Sequence, residues 1–388
     1  MKDMKPSAIR EIFKSLTDPS IIAFAAGNPA PESFPAAQIR RFASEILEEE
    51  LNTALQYSIT EGYPALREAV AARLREKFSV GSPEDTLLIT SGGQQGLELA
   101  CKVMCDQGDT VLCENPSFIG ALNAFRSLGA NLVGLELTDG DGIDPDALER
   151  ALRENPRAKL LYLIPTFHNP AGTTMSLERR RAVYAVARRY GVMILEDNPY
   201  GELRFAGEEI PPIKSMDTDG IVIYCGSFSK ILSAGMRVGF VCAPAPVAQK
   251  MVVAKQVEDV HTNIFAQMLC NRFLREDPDA HIASIRQLYR RKSGVMLSEM
   301  DRLFPESIRY TRPEGGLFLW CTLPQEIDMS AYVQACLQKK VAVVPGTAFN
   351  CDPAAPSQSF RLNYSTPSDE QIAAGIGILA EPAGEFLR

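Results

Sequence analysis

Ile221-Val222-Ile223-Tyr224-Cys225-Gly226-Ser227-Phe228-Ser229-Lys230-Ile231-Leu232-Ser233-Ala234-Gly235-Met236-Arg237 sets the reading of the whole chain. Its first five residues are apolar and read as a buried strand. The strand ends in small hydroxyl residues around one lysine, Lys230, with Arg237 seven positions on. A lysine at the end of a buried strand tends to lose its charge, because desolvation disfavours the ammonium form, and it can then act as an amine nucleophile. Ser227, Ser229 and Arg237 together suit a phosphate. Taken alone, the stretch also fits a surface lysine in a Ser/Gly loop.

The flanking sequence repeats the pattern from about residue 86. Thr86-Leu87-Leu88-Ile89-Thr90, Thr110-Val111-Leu112-Cys113, Leu160-Leu161-Tyr162-Leu163-Ile164, Val192-Met193-Ile194-Leu195-Glu196 and Val238-Gly239-Phe240-Val241 read as further strands. Amphipathic runs over 94–104, 117–128 and 177–190 read as helices between them. Such alternation predicts an α/β fold: a largely parallel sheet covered by helices on both faces.

The last hundred or so residues read differently. A helix around 282–304 carries Arg286, Arg290, Arg291 and Lys292, taken as a solvated face. Gly316-Leu317-Phe318-Leu319-Trp320 and Phe360-Arg361-Leu362-Asn363-Tyr364 look like strands separated by helices. A smaller α+β domain is expected there, with the first forty or so residues packed against it. The expected division is a large domain over 42–280 and a small domain made of 1–41 and 281–388. Glu45 to Glu50 and Arg179-Arg180-Arg181 read as exposed helix faces.

Composition narrows the function classes. The 388 residues suit two domains, and 46% hydrophobic with 23% charged content leaves little room for extended disorder. A net charge of -8 argues against nucleic-acid binding driven by general electrostatics. No apolar run is long enough to cross a bilayer, and Met1-Lys2-Asp3-Met4-Lys5-Pro6 lacks the apolar core of a secretion signal. Nine cysteines scattered through apolar segments, with no Cys-x-x-Cys pair, read as reduced thiols, so a cytoplasmic location is expected. His168, His261 and His281 share no metal-ligand spacing, and no metal is expected.

In an open parallel sheet, ligands gather at the carboxyl ends of the strands. Ser91-Gly92-Gly93-Gln94-Gln95-Gly96 follows the first strand and opens a helix, whose free N–H groups suit a phosphate; a plain tight turn is equally open. Neither a dinucleotide glycine pattern nor a Walker lysine is present. Pro165-Thr166-Phe167-His168-Asn169-Pro170-Ala171-Gly172 is rich in turn formers, and Asn169 could bond a ligand oxygen. His168 reads as a loop residue rather than a catalyst. Glu196-Asp197-Asn198-Pro199-Tyr200 places a carboxylate at a buried strand end, where it needs a cation such as a protonated pyridine nitrogen; an Asp that caps the next segment is the other reading. A reactive amine beside a phosphate site, with a carboxylate for a ring nitrogen, is what a pyridoxal 5'-phosphate enzyme needs.

Asn169, Asp197, Tyr200, Lys230 and Arg237 occur in order at successive strand ends. The chain resembles, over nearly its whole length, the class I/II aminotransferases of fold type I, and within them the 2-aminoadipate and kynurenine aminotransferase branch. Ala54-Leu55-Gln56-Tyr57-Ser58, Glu61-Gly62-Tyr63, the stretches over 92–96, 163–172 and 226–230, and Arg312-Pro313-Glu314-Gly315-Gly316 all look like that branch.

The resemblance implies a role for each matching residue. Lys230 would be the Schiff-base lysine and proton shuttle, and Asp197 would pair with the ring nitrogen. Asn169 and Tyr200 would bond the ring oxygen, and Phe118 would stack on the ring. Gly93, Gln94, Ser227, Ser229 and Arg237 would hold the phosphate, with Tyr57 reaching the partner's site across a homodimer. Arg361 would bind the substrate α-carboxylate, and Gly27, Asn28 and Arg10 match a region that moves over the substrate. Arg10 could take a distal carboxylate or be an exposed helix arginine. The implied reaction moves an amino group from an L-amino acid (2-aminoadipate, aromatic or similar) to a 2-oxo acid, 2-oxoglutarate foremost, in a ping-pong cycle.

Three positions depart from the branch. It often has Ser at Gly93, Tyr at Phe118 and Thr at Ala171, so a phosphate hydroxyl and a ring-side hydroxyl are missing here. Two rival readings keep the fold. One is a β-lyase or decarboxylase with the same cofactor. The other is a MocR-type regulator, disfavoured because the aminotransferase-like region begins almost at Met1 and the chain is acidic.

Overall fold

The computed structural model describes Asp18 and residues 20–138 and 140–386. Its strands, in chain order, are β1 Ile22–Ala23, β2 Asp85–Thr90, β3 Thr110–Asn115, β4 Asn131–Glu136, β5 Ala158–Leu163, β6 Met193–Asp197, β7 Val222–Ser227, β8 Gly239–Pro244, β9 Arg309–Tyr310, β10 Phe318–Thr322, β11 Val341–Ala342, β12 Val344–Pro345 and β13 Ser359–Asn363. Seven of them form one sheet in the order β2-β8-β7-β6-β5-β3-β4.

Helices lie on both faces of that sheet, as its sequence pattern predicts, and the period-two alternation of the strands decides which residues meet which helices. On β5, Leu160 and Tyr162 pack into one core with Leu97 and Ala100 of the helix Gly93–Met104 and with Ala121 and Phe125 of Ile119–Ser127. Leu161 and Leu163 point the other way, towards Leu148 of Pro145–Glu154 and Val183 and Ala187 of Leu177–Tyr190. Strands buried on both faces are near-continuous apolar runs, which is why they stand out in the sequence. β4 is different. It lies at the sheet edge and only Leu135 is buried, and the sequence reading did not pick out its short run Leu132-Val133-Gly134-Leu135.

One strand runs against the rest. β8 pairs antiparallel with β2 and with β7, so Gly239 lies opposite both Thr90 and Ser227. The start of β8 therefore sits on the edge where its neighbours end. Arg237, two residues before β8, is delivered to the same edge as Lys230.

A smaller antiparallel sheet, β12-β13-β10-β9, carries Arg361 opposite Trp320. It packs with the helices Pro278–Leu303 and Asp369–Phe386. The early chain joins this part: β1 pairs in parallel with β11, and Asn363 donates its backbone N–H to Phe24 O at 2.9 Å. One charged position corrects the sequence reading. Arg290 and Arg291 are exposed, but Lys292 is buried; its Nζ donates to Pro367 O at 2.8 Å and pairs with Glu32 at 2.8 Å. The 278–303 helix thus turns one lysine inward to hold the carbonyls of Ser365 and Pro367, past β13. Among the described residues, no helix is long and apolar enough to cross a membrane.

Candidate active site

A cavity of ≈ 350 Å³ opens at the carboxyl edge of the large sheet. Its wall contains Gly93, Gln94, Phe118, Asn169, Asp197, Tyr200, Ser227, Ser229, Lys230, Arg237 and Arg361, with Gly27 and Asn28. All these positions come from the sequence reading, and the fold brings them together.

Asp197 ends β6 and is 6% exposed. Burial pushes its carboxyl up to about 7, and the Tyr162 hydroxyl, donating to Oδ2 at 2.8 Å, partly opposes that rise. A carboxylate so placed is costly without a cation to meet it. Lys230 lies three residues past β7. Its Nζ donates to Gly27 O at 2.6 Å and sits 5.9 Å from the centre of the Tyr200 ring. Burial, and then the charges of Arg361 and Arg237, lower the ammonium to about 8. Near neutrality Lys230 is therefore neutral amine far more often than an ordinary lysine.

Gly92 turns the chain from β2 into the helix Gly93–Met104 with a φ of +78°, open to glycine at little cost. A Cβ there would lie 2.4 Å from Arg237 Nη2, so the guanidinium packs directly on this turn. Ser229 donates its N–H to Ser227 Oγ at 3.1 Å, and Ser227 Oγ donates to Ser229 Oγ at 2.8 Å. The Gln94 side chain is turned away and donates to Gly120 O at 2.8 Å, which leaves its backbone N–H for a ligand.

Arg361 closes the opposite side. Nη1 donates to Asn169 Oδ1 and Nη2 to Ala25 O, each at 2.9 Å. The guanidinium stacks on Phe318 at 4.3 Å and Phe349 at 4.9 Å, and Nε is buried without a partner. Burial lowers its pKa to about 10. Asn169 Nδ2 reaches Tyr200 Oη at 3.5 Å. Gly172, at φ +71°, brings the Asn169 loop against β10: a Cβ there would stand 2.4 Å from Phe318 O.

The cavity thus sets three cationic side chains, Lys230, Arg237 and Arg361, against one carboxylate, Asp197. That excess of positive charge, with an unpartnered guanidinium donor, fits a doubly charged phosphate at one end and a carboxylate at the other. The residues present fit pyridoxal 5'-phosphate.

One sequence candidate lies elsewhere, and another is not described. Tyr57 is 81% exposed, outside this cavity, and edge-on to His261 at 5.9 Å. Arg10 lies outside the described residues. His168 is a buried loop residue: Nδ1 accepts from Ala171 N–H at 3.2 Å, and Nε2 lies 3.3 Å from Glu114 Oε2.

The structure also adds residues that the sequence reading passed over. Tyr162 sits in an apolar strand, and its hydroxyl was the one signal of a polar task. Phe318 stands out in the sequence only as part of a strand, and Phe349 not at all. Arg180 corrects an expectation: it is not an exposed helix arginine but wholly buried. It donates to Pro165 O at 2.8 Å, Thr166 Oγ1 at 2.9 Å, Met175 O at 3.0 Å and Pro211 O at 2.9 Å. Those loop carbonyls have no strand partners, and one guanidinium fork satisfies several at once.

Comparison with known proteins agrees with this geometry. A family model described as Aminotransferase class I and II matches residues 19–379. The aromatic-amino-acid aminotransferase 1 of Thermococcus litoralis is 39% identical over 99% of this chain and 93% of its own length. The 2-aminoadipate transaminase of Thermus thermophilus is 40% identical over 96% of this chain and 92% of its own length. The crystal structure of Pyrococcus horikoshii kynurenine aminotransferase in complex with PMP has a TM-score of 0.96 at 37% identity, covering 100% of this chain and 96% of that one. With a buried lysine, a buried carboxylate and an arginine gathered on one sheet edge, the chain belongs to the class I and II aminotransferases, enzymes of fold type I that transfer amino groups with pyridoxal 5'-phosphate.

Proposed function

We propose that this aminotransferase moves the amino group of an L-amino acid, of the 2-aminoadipate or aromatic type, to 2-oxoglutarate in a ping-pong cycle with Lys230 at its centre. The observation that carries it is the convergence of Lys230, Asp197, Tyr200, Asn169, Arg237 and Arg361 on one cavity. When bound, pyridoxal 5'-phosphate supplies an electrophilic carbon for the amine and a sink for the electrons of the Cα–H bond.

The chain's own groups do the rest. Lys230, whose neutral form is favoured by burial and by two neighbouring cations, takes and returns a proton at substrate Cα. Asp197 keeps a negative charge at the ring-nitrogen end, anchored by Tyr162. Tyr200 and the Asn169 amide orient the ring oxygen. Gly93 and Gln94 by their backbones, with Ser227, Ser229 and Arg237, hold the phosphate, and Phe118 covers the ring. Arg361 takes the substrate α-carboxylate, and the Phe318 and Phe349 rings keep water from its faces. Gly27 and Asn28 border the substrate side of the cavity.

The same reading makes the enzyme a cytoplasmic homodimer, with the large domain over 42–280 and the small domain from 1–41 and 281–388. Leu51, Leu55, Tyr57 and Ile59 expose apolar surface near Val257 and Val260, and Tyr57 touches His261 on that side. A patch of this kind suits a second copy that brings Tyr57 to its partner's phosphate.

The test is Lys230→Ala. The variant keeps its circular dichroism spectrum and loses turnover. Near-wild-type steady-state transamination by it would refute the assignment. A panel of amino donors with 2-oxoglutarate tests the substrate class. Pyruvate and ammonia as products, in place of a stoichiometric 2-oxo acid and new amino acid, would mark a β-lyase instead.

A further inference from the structure

Behind the phosphate corner, outside the cavity wall, a lysine is buried with 0% exposure. Lys255 lies in the last turn of the helix Ala245–Gln256. Its Nζ donates to Gln95 Oε1 at 2.6 Å, Asp259 Oδ1 at 2.8 Å and Thr262 Oγ1 at 3.0 Å. An ammonium has three protons, and these partners use all of them.

The partners lead straight to the turn. Gln95 Oε1 also accepts the backbone N–H of Ser91 at 2.8 Å, and Gln95 Nε2 donates to Asp259 Oδ2 at 2.9 Å. Ser91 Oγ donates to the same Asp259 Oδ2 at 2.6 Å and lies 3.1 Å from Thr262 Oγ1. Ser91 is thus fixed by both its N–H and its hydroxyl. It directly precedes Gly92 and Gly93, where the helix opens and where Arg237 packs. Burial disfavours charge on Asp259, but hydrogen bonds from Lys255, Ser91 and Gln95 outweigh it and hold the carboxyl below its ordinary range. A carboxylate one hydrogen bond from this turn would repel a phosphate unless a cation neutralised it.

We propose that Lys255 is a positioning residue for the cofactor's phosphate: it locks Ser91 and neutralises Asp259, so that the backbone N–H groups of Gly93 and Gln94 are presented to an anion. Lys255 touches neither cofactor nor substrate. Its effect passes through Ser91, Gln95 and Asp259, none of which lines the cavity. The proposal rests on the reading that this turn and Arg237 hold the phosphate.

The experiment titrates full-length enzyme, freed of cofactor, with pyridoxal 5'-phosphate and separately with pyridoxal, which lacks the phosphate. Binding is read from absorbance. Lys255→Met weakens pyridoxal 5'-phosphate by about tenfold or more and leaves pyridoxal unchanged. Ser91→Ala, which removes one link and keeps the buried ion pair, gives a smaller loss of the same selectivity and decides the matter if Lys255→Met fails to fold. An equal loss for both ligands, or no loss in either variant, overturns the proposal. Arg237→Gln separates the two readings. If it abolishes the preference for the phosphorylated ligand while Lys255→Met and Ser91→Ala keep it, the phosphate corner stands and the role of Lys255 falls. If wild type itself shows no such preference, the phosphate reading falls with it.

Discussion

The hydroxyl of Tyr162 on β5 donates to Asp197 Oδ2 on β6 at 2.8 Å, and both side chains are buried. Burial already holds the Asp197 carboxyl near 7, so this bond is the one local group that favours its charged form. Tyr162→Phe removes it without changing packing. The loss of a hydrogen bond to a buried charge costs about 1.5–3 kcal/mol. Asp197 then rises further above 7, and the acid limb of cofactor binding, followed by absorbance against pH, moves to higher pH.

Lys230 gives a pH signature of the opposite sense. Its ammonium is lowered to about 8 from an ordinary value of 10.5, by burial first and then by Arg361 and Arg237. In the cofactor-free enzyme, labelling of Lys230 by an amine reagent rises with a midpoint near pH 8. Arg361→Gln removes a repelling charge and moves that midpoint upward. Between about pH 8 and 10.5 the unfolded chain binds more protons here than the native one, so this group adds stability as pH rises through that window. Urea titrations at both ends check the sign.

Arg361 carries the substrate prediction. Its guanidinium lies over the Phe318 and Phe349 rings and is bonded to Asn169 and Ala25 O. Arg361→Lys keeps the charge and loses the planar fork. Both Arg361→Lys and Arg361→Gln raise KM for the amino donor, by about 2–4 kcal/mol in kcat/KM. Cofactor affinity stays within a few-fold. Equal kcat/KM for Arg361→Gln and wild type would remove Arg361 from the substrate site.

Arg180 is a stability residue with a functional address. It joins Pro165, Thr166, Met175 and Pro211 beneath the loop that carries Asn169. Arg180→Leu leaves Met175 O and Pro211 O without this donor, removes one of two donors from Pro165 O, and lowers unfolding free energy by about 2–3 kcal/mol, measured in urea. Arg179→Leu, on a less buried neighbour, costs well under half of that.

The sequence exposed those parts of the fold and site that depend on local pattern. Strands buried on both faces announced themselves, and the residues just after them marked the cavity. What stayed hidden depends on distant partners. Periodicity says nothing of strand direction, so the antiparallel course of β8, which delivers Arg237, was not readable. Arg180, Lys255 and Lys292 look like any helix cation until the carbonyls and carboxylates around them are in place. β4 escaped because its run, Leu132-Val133-Gly134-Leu135, is short and flanked by polar Asn131 and Glu136, and Tyr162 because its ring looks like core.

The contact of Lys230 Nζ with Gly27 O spans 203 residues, and that of Arg361 with Ala25 O spans 336. Both ends of the chain meet over its middle. During synthesis the large sheet, Lys230 and the phosphate corner emerge long before Arg361 does. On the proposed roles, the residue that takes the substrate carboxylate is the last part of the site to be synthesised.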